Sequence, residues 1–241
     1  MNILTLYNLS IGYRKRVVAQ GINAYLKAGT LTCLVGRNGT GKSTLLKTVA
    51  GNLTALEGRV KICGRDVATY SRNDMARKVS VVRTGRPEVG LMKAYDIVAL
   101  GRTPYTNIWG TLKPEDHAVI QECLEKVGIT HLAERAVSTL SDGECQKVMV
   151  AKALAQQTDI IVLDEPTAFL DYPSKAETMA IMKDIVTSRH DMTAALMSTH
   201  DMELALRLAD CLWLITSSHE LLCGTAEELR QHLIAEGLQA I

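Results

Sequence analysis

The 241-residue chain carries 27 Lys and Arg against 26 Asp and Glu, a formal charge of +1, so no overall field directs it to nucleic acid or to an acidic partner. Its length supports one large domain, or a core with an inserted subdomain, around a sizeable apolar interior. Six cysteines without a C-x-x-C pair read as reduced thiols of a cytosolic protein, and no stretch approaches the roughly 18 uninterrupted apolar residues of a membrane span.

Residues 1–10 lack the basic start and apolar stretch of a secretory signal. Residues 3–9 and 17–35 read as short strands broken by Gly12, Gly21 and Gly29, and residues 58–63 add another before a Cys63-Gly-Arg-Asp66 turn. Together they predict a small, largely antiparallel sheet. Tyr13 stands between the first two strands, either half-buried at a strand end or exposed and able to stack on a base.

The apolar run Leu31-Thr-Cys-Leu-Val35 leads into Gly36, Arg37, Asn38, Gly39, Thr40, Gly41, Lys42, Ser43 and Thr44, which satisfy G-x-x-x-x-G-K-[ST], and helical spacing follows over 43–50 until Gly51. Strand, glycine loop and helix come in the order a phosphate-binding loop needs. Glycines let successive N–H groups turn towards one anion, and the helix start adds partial positive charge. Lys42 suits the outer phosphates and the Ser43 hydroxyl suits Mg2+.

Residues 78–82 read as a strand, and from Thr84 the pattern changes to a glycine-rich loop and then helices. These are a short helix over 95–100, a longer one over 113–127 starting at Pro114, and a third over 131–136. The stretch predicts a helical insertion of about 84–157 in a core formed by about 1–83 and 158–241. Gly101-Arg-Thr-Pro-Tyr105 and Trp109-Gly110 punctuate it with breakers and aromatics, a composition suited either to contacting another protein or to a plain interhelical loop.

Ser141 and Glu144 form an S-x-x-E capping box that opens the next helix. The continuous apolar run Ile160-Ile-Val-Leu163 reads as a central, doubly covered parallel strand with Asp164 and Glu165 at its carboxyl end, where open α/β sheets place their ligands. Asp164 is the candidate for holding Mg2+, and Glu165 for polarising the water that attacks a γ-phosphate. A helix over 174–187 and a strand over 193–198 follow, with His200 at that strand's carboxyl end and in reach of the same phosphate. Residues 202–209 read as a short helix and 212–215 as a strand, and Thr225 with Glu228 forms a second capping box opening a helix towards Ala235.

The loop at 36–44, Leu140-Ser-Asp-Gly-Glu144, residues 160–166, Leu170-Asp171 and His200, in that order, resemble the nucleotide-binding subunits of ATP-binding-cassette (ABC) transporters over nearly the whole chain. The resemblance implies an α/β fold: a P-loop NTPase (RecA-like) core with a parallel central sheet, an N-terminal antiparallel β subdomain and an inserted helical subdomain. It implies an ATPase using ATP and Mg2+, acting as a head-to-tail homodimer. Ser141, Asp142, Gly143 and Glu144 would grip the γ-phosphate of ATP held by the other copy, Asp171 would lie in the dimer loop, and Tyr13 would stack on adenine.

A narrower resemblance lies in Val98-Ala-Leu-Gly-Arg-Thr-Pro-Tyr105, followed by Trp109-Gly110 and Glu115-Asp116. It is similar to the ATPases that drive importers of iron–siderophore complexes, haem and cobalamin. It implies a polytopic permease docking near residues 84–110, an extracytoplasmic substrate-binding protein as an indirect partner, and a peripheral position on the cytoplasmic face of the inner membrane.

Three departures stand out. The family's usual Gln at the junction of core and insertion is absent, and Thr84, beside Arg83, takes its place as an additional Mg2+ candidate. Asp142 and Glu144 replace Gly and Gln in the signature, adding negative charge that suits a helix start but opposes a triphosphate. Ala168 replaces a usual Ser, whereas Asp171 is retained. A soluble ABC ATPase of cofactor (iron–sulfur) assembly and a slow nucleotide switch stay open as other readings.

Overall fold

The computed structural model describes residues 1–14, 16–188 and 193–238. In chain order the elements are β1 (Asn2–Tyr13), β2 (Arg16–Lys27), β3 (Leu31–Gly36), α1 (Lys42–Val49), β4 (Glu57–Ile62), β5 (Arg65–Asp66), α2 (Arg72–Ala76) and β6 (Val79–Arg83). The helices α3 (Ala94–Ala99), α4 (Pro114–Lys126) and α5 (Asp142–Ala155) follow. The chain then alternates through β7 (Ile160–Asp164), α6 (Tyr172–Ser188), β8 (Ala194–Ser198), α7 (Met202–Leu208), β9 (Cys211–Ile215), β10 (Leu221–Gly224) and α8 (Arg230–Ala235).

The strands form two sheets. One is antiparallel with order β2-β1-β4-β5, and the other has order β10-β9-β3-β8-β7-β6 and is parallel except for β10. β3 and β8 are buried along their whole length, as strands covered on both faces must be. Alternate residues serve opposite cores. Cys33, Val35, Ile161, Leu163, Ala195 and Met197 pack with α3 to α6, whereas Leu34, Ile160, Val162, Leu196 and Trp213 pack with α1 and the antiparallel sheet.

Gly12 and Gly21 do not break strands, contrary to the sequence reading. At Gly12 a Cβ would lie 2.1 Å from the Arg16 carbonyl, so glycine permits the close hairpin crossing. At Gly21 (φ 66°) the register passes from Leu9↔Ile22 to Ile11↔Ala19, which places an extra residue in β2 and makes a bulge. The helix expected over 131–136 is a single 3-10 turn at Thr130–Leu132. The Ala133 and Arg135 carbonyls accept from Tyr95 and Ala94, so they satisfy the open start of α3 and cannot continue a helix. The Thr225–Glu228 box is formed, yet α8 becomes regular only at Arg230.

In the segment Gly101-Arg-Thr-Pro-Tyr105, Gly101 and Arg102 are buried, Pro104 and Tyr105 are half-buried, and Thr103 is exposed. Arg102 is 6% exposed; its Nε donates to Asp116 at 2.8 Å, and its Nη1 donates to the Ala155 carbonyl at 2.7 Å and to Gln157 at 2.8 Å. The guanidinium lies over the Tyr105 ring, 4.1 Å from its centroid, and the Tyr105 hydroxyl donates to the Gln156 carbonyl. Hydrogen bonding from the Lys113 amide and then from Arg102 holds the Asp116 carboxyl below its usual pKa. At Gly101 a Cβ would meet the Lys152 carbonyl at 2.3 Å, so this turn presses directly on α5. Gly101, Arg102 and Tyr105 therefore brace α3, α4 and α5, while Thr103 stays exposed. The apolar side chains left exposed nearby are Leu91, Leu100, Ile108 and Trp109.

Removing one member of a buried ion pair strands the other. Arg102→Ala is expected to destabilise the chain by about 3–5 kcal/mol, measured as a shift in denaturant midpoint. A loss below about 1 kcal/mol would show that the brace is solvated.

Candidate functional site

The loop between β3 and α1 is shaped by its glycines and by the sheet beneath it. A Cβ on Gly36 (φ 150°) would meet the Ile215 carbonyl at 2.5 Å, and one on Gly41 (φ 112°) would meet Val18 Cγ1 at 2.6 Å. Gly41 is the N-cap of α1 and supplies no side chain, so the first-turn amides of α1 have no side-chain cap and are suited to an anion. Lys42 is 5% exposed and folds back, its Nζ donating to the Gly36 carbonyl at 2.8 Å and to the Arg37 carbonyl at 3.0 Å. Burial lowers the pKa of Lys42, while Glu165 and Asp164 oppose that shift.

The outer rim of the loop rests on the C-terminal region, which the sequence reading missed. Arg37 Nε donates to the Glu236 carbonyl at 2.8 Å, and the Glu236 carboxylate accepts from the amide and hydroxyl of Ser217, each at 3.0 Å. His219 Nδ1 lies 3.4 Å from the Thr40 carbonyl. Only the packing of the β9–β10 turn against the loop brings these groups together.

β7 and β8 align in parallel register, with Asp164 opposite Ser198. Asp164 Oδ1 accepts from Ser43 Oγ at 3.1 Å and from Ser198 Oγ at 2.9 Å. The Ser198 hydroxyl also accepts from the Glu165 amide at 2.9 Å. Glu165 has φ 48°, a left-handed conformation that costs a non-glycine residue about 1–3 kcal/mol and that Asn8, Arg14, Cys63, Gln157 and His219 also adopt. His200 Nε2 is 2.8 Å from Glu165 Oε1; an ionised carboxylate can only accept, so Nε2 carries the proton. Ser198 is fully buried and was not singled out in the sequence; the available signal was a polar residue closing an apolar strand beside Asp164.

The oxygen donors at Ser43 and Asp164 fit a hard divalent cation, one carboxylate and one hydroxyl leaving room for phosphates and water. The Thr84 hydroxyl donates to the Asp164 carbonyl at 2.5 Å, geometry that gives no support to Thr84 as an Mg2+ ligand. Tyr13 ends β1 with an exposed ring; its neighbour Gly12 pairs with Val17, next to the Val18 that touches Gly41.

Ser141 and Glu144 make the reciprocal box that opens α5: the Ser141 amide donates to Glu144 Oε2 at 2.8 Å, and the Glu144 amide donates to Ser141 Oγ at 3.2 Å. That backbone bond, aided by Arg135 3.6 Å away, holds the Glu144 carboxyl below its usual pKa. Asp171 Oδ1 accepts from the Ser174 amide at the start of α6. No hydrogen bond or ion pair among the described residues joins Ser141, Asp142, Gly143 or Glu144 to the phosphate loop.

Residues 19–168 match the family model described as ABC transporter. An uncharacterised ABC transporter ATP-binding protein of Methanocaldococcus jannaschii is 39% identical over 231 residues, covering 96% of this chain and 79% of the relative. The iron(3+)-hydroxamate import ATP-binding protein FhuC of Bacillus subtilis is 32% identical over 229 residues, covering 95% of this chain and 84% of FhuC. Among solved structures, a chain of an inward-facing ABC transporter assigned to the metal-chelate type superposes with TM-score 0.82 at 25% identity, covering 95% of this chain and 85% of its own. With a family match over more than half its length and a relative aligned over nearly all of it, this chain belongs to the ATP-binding subunits of the ABC transporter family.

Proposed function

We propose that this chain hydrolyses ATP to power import of a metal chelate, an iron–siderophore, haem or cobalamin, through a partner permease. The observation that carries the hydrolytic part is the hydrogen-bonded series Ser43, Asp164, Ser198, Glu165 and His200 beside the phosphate loop. The metal-chelate part is supported by the name of FhuC and by the metal-chelate transporter neighbour, which favour it over a soluble assembly ATPase.

In this reading the glycine loop, Lys42 and the open amides of α1 hold the β- and γ-phosphates, and Tyr13 stacks on adenine. Ser43 and Asp164 hold Mg2+, which neutralises phosphate charge when bound. Glu165 Oε1 is occupied by His200, and Oε2 takes no hydrogen bond among the described residues. Oε2 therefore accepts the proton of a water as that water's oxygen bonds to the γ-phosphorus and the bond to the ADP oxygen breaks, giving ADP and phosphate. His200 fixes the carboxylate and lies where it senses the γ-phosphate.

The composite site forms in a head-to-tail homodimer, with Ser141, Asp142, Gly143 and Glu144 of one copy facing the nucleotide of the other and Asp171 near the shared interface. The helical subdomain of about 84–157 presents the permease-docking surface near residues 84–110, where Leu91, Leu100, Ile108 and Trp109 are exposed. In this reading the permease supplies the membrane span and this subunit sits on the cytoplasmic face of the inner membrane; no helix among the described residues is itself long and apolar enough to cross a membrane. An extracytoplasmic binding protein acts on the far side.

Glu165→Gln is expected to lower phosphate release by a factor of about 10² to 10⁴ while ATP is still bound, measured by released phosphate and by nucleotide retention. Hydrolysis at the normal rate would remove Glu165 as the base. Lys42→Ala is expected to weaken ATP binding at least about tenfold in titration calorimetry, because one charge-assisted phosphate contact is lost. Purification of the tagged chain from membranes in mild detergent is expected to bring a polytopic permease at one copy per ATPase subunit. A soluble partner instead would move the chain to an assembly role.

A further inference from the structure

We propose that Arg86 is the charge partner that makes Asp142 compatible with a triphosphate, and is thereby a positioning residue of the composite nucleotide site. This rests on the dimer reading given above. Asp142 stands in the first turn of α5, but Ser141 and Glu144 already form the cap, so its carboxylate is not used there. Its side chain is 61% exposed. An uncompensated anion on that face would repel the phosphates that the other copy presents.

Arg86 answers that charge. Its Nη1 lies 3.6 Å from Asp142 Oδ1, and no other cationic group among the described residues lies within ion-pair distance of Asp142. Its Nη2 donates to the Val137 carbonyl at 3.2 Å and to the Leu140 carbonyl. The guanidinium is thus fixed to the backbone just before the signature helix rather than free to follow solvent. Exposed pairs of this kind add little to stability, so cancellation of charge is the effect that remains.

A second observation places a ligand-facing environment here. Arg86 and Asp142 line one cavity of about 150 Å³ with Thr84, Cys145, Gln146 and Ala168, between the start of α5 and the loop after β7. Gln146 is 7% exposed, and its Nε2 has no partner among the described residues. A buried donor beside the pair leaves room for an acceptor that arrives when the site closes. The Asp142 departure and the arginine two residues beyond Thr84 are then one device: the anion orients the guanidinium, and the guanidinium removes the anion's penalty.

The test is a double-mutant cycle in the Glu165→Gln chain, reading the ATP concentration for half-maximal dimerisation by light scattering. Arg86→Gln is expected to raise that concentration on the order of tenfold, the scale of one unit charge a few ångströms from another in a partly solvated site. Arg86→Lys should recover most of the loss, and Asp142→Gly combined with Arg86→Gln should recover it too. A double variant as weak as Arg86→Gln alone would overturn the proposal, because the loss would then owe nothing to the Asp142 charge and Arg86 would act through the Val137 and Leu140 carbonyls. If Arg86→Gln does not fold, Asp142→Asn decides, since Arg86 keeps its carbonyl contacts. A gain in apparent affinity on the order of tenfold supports cancellation, because it leaves the Arg86 charge unopposed, whereas a shift below about threefold shows that the Asp142 charge does not act on the phosphates and overturns the proposal. A Glu165→Gln parent that stays monomeric with ATP overturns the dimer reading, and this proposal with it; a dimerising parent whose ATP dependence is moved by neither charge overturns this proposal alone.

Discussion

A single buried hydroxyl links the two strand ends on which the site depends. Ser198 donates to Asp164 and accepts from the Glu165 amide, so one side chain satisfies a carboxylate and holds the next residue in its left-handed turn. Parallel register makes the bond available, because it sets Asp164 opposite Ser198 and leaves Glu165 and His200 just beyond the sheet. The phosphate loop reaches the same point from β3, which pairs with β8 on its other side.

Rigidity on the helical side has a different source. Arg102 satisfies a carboxylate, a backbone carbonyl and a side-chain amide at once, all inside the junction of α3, α4 and the end of α5. Such a group is expensive to bury without partners, and here the surrounding elements accept from Nε and from Nη1. Arg102 is buried in this brace, whereas Leu91, Leu100, Ile108 and Trp109 nearby are exposed.

The chain's departures from the usual family pattern fall into distinct physical classes. Glu144 is absorbed by the capping box and by Arg135, so its charge is spent locally. Asp142 is not absorbed by the cap and is met by Arg86. The Thr84 hydroxyl donates a hydrogen bond to the Asp164 carbonyl, tying the junction after β6 to the neighbouring strand end. A short hydroxyl bonded to backbone restrains that junction, whereas a long amide would reach out from it.

The phosphate loop, the central strands and the S-x-x-E helix start were legible in the residues because each is local: a run of covered apolar residues, a glycine spacing or a side chain reaching three positions along. The signature order also indicated the family. The hairpin glycines and the 131–136 segment were misread because a strand crossing at Gly12, a bulge at Gly21 and carbonyls shared with the start of α3 are set by partners distant in sequence. For the same reason the sequence indicated an arginine in Gly101-Arg-Thr-Pro-Tyr105 but not its direction; Asp116, Ala155 and Gln157 turn it inward only after the helices pack. Residue types and their short-range spacing determined which chemistry is present. Tertiary structure alone decided that Ser198 lies against Asp164 and Glu165, Arg37 against Glu236 and Arg86 beside Asp142, because hydrogen bonds and ion pairs act over a few ångströms in space and carry no mark of their separation along the chain.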